Sequence, residues 1–126
     1  MVLDASVVLE MLLGTRHGVM LTDRLLTGKR SLHVPHLLDV EVAHVLRRYE
    51  RTKEITPARG AEALADLVDL PLERHPHDML LPRIWNLRDN LTGYDAAYVA
   101  LAEGLDATLL TRDRKLASGR SRVEVV

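Results

Sequence analysis

Apolar positions along this 126-residue chain alternate between short continuous runs and longer stripes at helical spacing. Val2 and Leu3 form a brief run closed by Asp4, and after Ser6 a denser series (Val7, Val8, Leu9, Met11, Leu12) continues to Gly14. This predicts strand, turn and helix. Residues 17–26 read as a second helix ended at Thr27 and Gly28, and residues 31–34 as a short strand ahead of Pro35. From His36 to about Lys53, Leu38, Val42, Val45, Leu46 and Tyr49 recur on one helix face, with Arg47, Arg48, Glu50 and Arg51 mostly off it.

Thr56 followed by Pro57 marks a helix start, because threonine caps free amides and proline fits the first helical position. Ala61, Leu64, Ala65 and Val68 are the expected buried face. Residues 70–74 alternate, but Pro71 lacks an amide proton and points to an edge strand. A helix is expected from His77 or Asp78, with Leu80, Ile84, Leu87 and Leu91 on one side, Leu81 and Trp85 beside them, and Pro82 in its first turn. TGYDAAYVALAEGL predicts a helix ending at Gly104, ATLLT a buried strand and VEVV a terminal one. Strands that are continuously apolar and alternate with helices predict an α/β sandwich whose parallel sheet is covered on both faces, as one domain over residues 1–126.

Composition narrows the chemistry. Seventeen basic and eighteen acidic side chains give a formal charge of −1, so any functional charge must be local. With no cysteine, thiol nucleophiles, disulfides and cysteine-bound zinc are excluded, leaving oxygen and imidazole as metal ligands. Asp4 and Glu10 interrupt the apolar start where a signal peptide needs an unbroken core, and no apolar stretch is long enough to span a membrane. A cytoplasmic protein is expected.

In a parallel sheet the loops leaving the carboxyl ends of the strands gather along one rim, where ligands bind. Asp4 ends the first strand there, and Asp113 follows ATLLT. Asp95 opens the preceding helix, and Glu41 lies one turn into the helix after the second strand. Four crowded carboxylates repel unless a cation compensates them. Magnesium or manganese suits oxygen ligands and supports phosphodiester hydrolysis. Each acid also has a plainer reading: Asp95 in a capping box with Thr92, Asp113 as cap of the RKLA turn, Asp4 in a turn with Ser6, Glu41 in an ion pair with Arg48 or another arginine.

VLDASVV, VPHLLDVEVAHVLRR, LTGYDAAYVALAE and LLTRDRKLA, in that order and spanning nearly the whole chain, resemble a PIN domain, specifically a VapC-type toxin ribonuclease. The resemblance implies a three-layer sandwich with a mainly parallel sheet of about five strands. It also implies an RNA-cleaving Mg2+ or Mn2+ site formed by Asp4, Glu41, Asp95 and Asp113, with Ser6 and Thr111 as supporting hydroxyls. A homodimer, a VapB-type antitoxin and a structured RNA substrate of the transfer or ribosomal class are implied as partners.

RNA approaching a negative site needs a positive border. Arg112, Arg114, Lys115, Arg120 and Arg122 adjoin the expected centre, and Arg112 and Arg114 are the candidate phosphate contacts. Four aromatic residues give little basis for a stacking platform. The pairs His33 and His36, or His75 and His77, lack further ligands at zinc spacing and are expected to be structural or surface residues; Trp85 and Tyr49 are expected in the core or a dimer interface. Receiver and dehalogenase-type phosphatase sites need a second acid beside Asp4 or two residues after it, where Ala5 and Ser6 stand. The remaining alternative is a PIN-like interaction module with little catalysis.

Overall fold

The computed structural model describes residues 1–126. Five strands, β1 (Val2–Leu3), β2 (Leu32–Pro35), β3 (Leu72–His75), β4 (Leu109–Thr111) and β5 (Val123–Val125), form one sheet in the order β3-β2-β1-β4-β5. Every pairing is parallel. Both residues of β1 and all three of β4 are buried. Adjacent strand residues point to opposite faces, so both faces are covered, as the unbroken apolar runs predict.

Helices α1 (Ala5–Leu13), α2 (Arg16–Thr27), α3 (Leu37–Arg51) and α4 (Pro57–Asp69) join the first three strands. After β3 come a 3-10 turn (Asp78–Leu80), α5 (Leu81–Asn86) and α6 (Gly93–Gly104), and α7 (Arg114–Ala117) follows β4. Helix α1 packs on α2, α3 and α4, while α6 lies against β1, β2 and β4. Gly14, in the left-handed region at φ 62°, ends α1, and α2 then folds back closely: a Cβ on Gly18 would sit 1.8 Å from the Glu10 carbonyl oxygen. No helix is long and apolar enough to cross a membrane.

Two expectations need correction. The buried face of α4 is Gly60, Ala63 and Leu67, whereas Ala61, Leu64, Ala65 and Val68 are exposed. Close packing against α1 and α3 favours the stripe of small residues over the bulkier one. The expected amphipathic helix after His77 is broken into the 3-10 turn and the short α5; Leu80 in the turn, and Leu87 and Leu91 beyond α5, still reach the core. Trp85 is outside the core, 66% exposed, with the Arg88 guanidinium 4.5 Å from its ring centroid. Tyr49 is half-buried, with Arg48 beside its ring.

Candidate active site

The chain runs outward from β1 through β2 to β3, then returns to the other side of β1 with β4 and β5. That reversal opens a crevice at the carboxyl ends of β1 and β4, where parallel α/β sheets place their ligands. Asp4 leaves β1 at this point and Asp113 leaves β4.

Asp4 is buried and held by three donors. Its Oδ1 accepts from Ser6 Oγ at 2.5 Å and from the Val7 amide at 3.2 Å, capping α1, and its Oδ2 accepts from the Thr111 hydroxyl. The same two hydroxyls tie the β4 loop to the β1 loop. Ser6 Oγ accepts from the Arg112 amide at 3.0 Å, and Thr111 Oγ1 accepts from the Asp113 amide at 3.0 Å. Thr111 is itself fully buried, so a donor there has no aqueous alternative partner.

Glu41 sits half-buried on α3, and its Oε1 accepts from Tyr98 Oη at 2.7 Å. It is not paired with Arg48. Asp95 lies in the first turn of α6, where Thr92 Oγ1 accepts from its amide at 3.2 Å. The cap uses the Asp95 amide, and the Thr92 hydroxyl also pulls on the Asp95 carboxyl. Asp113 is exposed and caps α7, accepting from the Lys115 amide at 2.8 Å.

Burial raises the carboxyl pKa of Asp4 above its ordinary value against the pull of its hydrogen bonds. Glu41 is raised by burial, then by the charges of Asp95 and Asp4. Asp95 is raised by burial, then by Asp113 and Asp4. The four acids thus act on one another across two helices and two strand ends. None of them takes part in any ion pair in the molecule. Oxygen is the only donor they offer. The centre is open: no three of these carboxylates bring oxygens all within 4.8 Å of one another.

Two contributors were not singled out as site residues from the sequence. Tyr98, 2% exposed, positions Glu41; its place one turn after Asp95 on the same helix is the signal that could have found it. Arg120 is the cation that acts on Asp95, and its guanidinium donates to the Leu116 and Ser118 carbonyls, which fixes the loop after α7. Of the two arginines proposed to contact RNA, Arg112 is engaged by the Val126 carbonyl at 2.5 Å and by His17 at 3.1 Å, with Glu10 4.0 Å away. Arg114 is exposed.

An all-parallel sheet carrying an acidic crevice at its reversal point is the arrangement of a PIN domain, and the family model of the PIN domain matches residues 1–120: the chain belongs to that family. At 43% identity over nine-tenths of its length it sits among the VapC ribonucleases. Ribonuclease VapC9 of Mycobacterium tuberculosis is 43% identical over 115 residues, covering 91% of this chain and 87% of the relative. Ribonuclease VapC1 of the same organism is 43% identical over 118 residues, covering 93% and 88%. A crystal structure from Pyrobaculum aerophilum shares the fold, with a TM-score of 0.76 at 22% identity over 99% of this chain and 82% of that one.

Proposed function

We propose that this chain is a toxin ribonuclease of the VapC type that cleaves RNA internally at a divalent metal held by Asp4, Glu41, Asp95 and Asp113. The observation that carries the reading is electrostatic. Four carboxylates from β1, α3, α6 and the β4 loop bear on one another's charge without a single ion-paired cation, a costly arrangement unless a counterion binds there. An all-oxygen donor set suits Mg2+ or Mn2+. Such ions retain several waters and use few protein carboxylates, so an open cluster fits them better than a closed cage.

When bound, the ion polarises a phosphoryl oxygen and acidifies a coordinated water. The chain's own groups supply the rest. Ser6, Thr111 and the Val7 amide immobilise Asp4, and Tyr98 orients Glu41. One of the four carboxylates would take the proton of the attacking water. The water oxygen forms the new bond to phosphorus, the bond to the leaving ribose oxygen breaks, and that oxygen takes up the proton given by the water.

RNA of the transfer or ribosomal class is the proposed substrate, with Arg114 and Arg112 as phosphate contacts, and a homodimer the proposed assembly. A VapB-type antitoxin is the proposed inhibitor. Val40, His44, Val45 and Tyr94 line a groove with Glu41, and Val40 and Tyr94 are 73% and 65% exposed, which offers such a partner apolar surface beside the acids. The test is RNA cleavage by antitoxin-free protein in Mg2+ or Mn2+, against chelator and against Asp4→Ala and Asp95→Ala. Cleavage is expected only with metal and intact acids. Undiminished cleavage by folded variants refutes the site, and an inert wild type favours an interaction module.

A further inference from the structure

Four of the six histidines gather on the β2–β3 side of the sheet, away from the β1–β4 crevice. His33 lies on β2, Glu73 and His75 on β3. His33 pairs directly with Glu73, and His75 follows two residues later, so strand alternation turns all three side chains to the same face. Their ligand atoms all lie within 4.8 Å of one another: His33 Nδ1 is 2.9 Å from His75 Nε2 and 3.3 Å from Glu73 Oε2.

We propose that His33, Glu73 and His75 form a second metal site, selective for a borderline ion such as Zn2+ and separate from the acidic centre. Two imidazoles and one carboxylate are a donor set that zinc uses in open sites, where water completes the tetrahedron. Zinc-nitrogen bonds of about 2.0–2.1 Å in a tetrahedron separate two nitrogens by roughly 3.3 Å, so the rings need to part by only a few tenths of an ångström. The second shell is in place. Ser31 Oγ lies 2.7 Å from His33 Nε2; when that nitrogen donates its proton to the hydroxyl, the Nδ1 lone pair faces Glu73 and His75. Partners of this kind fix tautomer and ring orientation in metal sites.

The neighbouring histidines do not compete. His77 Nε2 accepts from the Leu37 amide at 2.9 Å, and the His36 ring stacks edge-on against His77. None of the four crevice acids is among the charges acting on His33. The ion would bridge β2 to the edge strand β3, so binding should also stiffen that edge.

The test is Zn2+ titration of chelator-stripped full-length protein near pH 7.5, with Co2+ as the spectroscopic probe. One Zn2+ per chain is expected, unaffected by excess Mg2+ and retained in Asp4→Asn/Asp95→Asn, with the intense visible absorption of tetrahedral Co2+. His75→Ala and Glu73→Gln should weaken binding at least tenfold, and Ser31→Ala by roughly 10- to 100-fold. Glu73 is exposed, so its variant does not threaten folding. Zn2+ affinity unchanged in both His75→Ala and Glu73→Gln overturns the proposal, as does its loss in the Asp4→Asn/Asp95→Asn protein.

Discussion

Tyr98 on α6 and Glu41 on α3 are joined by a phenol-to-carboxylate hydrogen bond of 2.7 Å. Burial and the charges of Asp95 and Asp4 hold the Glu41 carboxyl above its ordinary pKa, and Tyr98 is the group that pulls it back. Tyr98→Phe removes that donor, so Glu41 stays protonated to a higher pH. Protons then compete with the metal for Glu41 up to a higher pH, so the acid limb of the cleavage profile should move upward, and a profile superimposable on wild type would deny Tyr98 this role.

Asp4, Glu41 and Asp95 all carry raised carboxyl pKa values, chiefly through burial. The folded chain therefore holds these protons more tightly than the unfolded chain. The stability they contribute is complete below the ordinary carboxylate value of about 4 and is lost as pH rises through the folded values. Without metal, Asp95→Asn should melt higher than wild type at neutral pH and lose that advantage near pH 4. Millimolar Mg2+ should raise the melting temperature of wild type and leave the variant unmoved; equal metal shifts in both proteins would count against Asp95 as a ligand.

Asp113 both caps α7 and supplies charge to the cluster. Asparagine keeps the cap and removes the charge, whereas alanine removes both. Cleavage should fall at least tenfold in Asp113→Asn and Asp113→Ala alike. Only the alanine variant should also lose stability, by about 1 kcal/mol in urea denaturation. Wild-type cleavage by the asparagine variant would reduce Asp113 to a cap.

The two candidate phosphate contacts should differ. Arg112 is already held by the Val126 carbonyl and His17, whereas Arg114 is exposed and acts as no partner's donor. Arg114→Ala should lower the salt slope of RNA binding by about one, and Arg112→Ala should lower it less. Identical slopes in wild type and both variants would remove these residues from the RNA interface.

Gly18 has no room for a side chain, since a Cβ would meet the Glu10 carbonyl of α1 at 1.8 Å. Gly18→Ala must push α2 away from α1, at a cost of about 3 kcal/mol, measurable as a lower denaturation midpoint. A wild-type midpoint would show that the two helices part freely.

Legibility in the sequence followed how locally each feature is determined. The buried strands β1 and β4 announce themselves because both faces are apolar, and an acid directly after each is placed by strand polarity alone. The inward face of α4 was hidden because Gly60 and Ala63 carry little hydrophobic signal; their burial depends on how near α1 and α3 approach. The 77–91 segment keeps helical spacing in its leucines although the backbone turns between them. The pairing of His33 with His75 depends on the register of two strands 42 residues apart, which spacing within either strand does not reveal.

Thr111 reaches Asp4 across 107 residues of chain. During synthesis, β1 emerges first but lies at the middle of the finished sheet, and its β4 neighbour is made near the end. At about 5–20 residues per second, a ribosome needs several seconds between making Asp4 and making the threonine that locks it. A nascent chain that ends before residue 111 lacks both the hydroxyl that holds Asp4 and the Asp113 carboxylate, so the proposed centre is completed only when synthesis is almost finished.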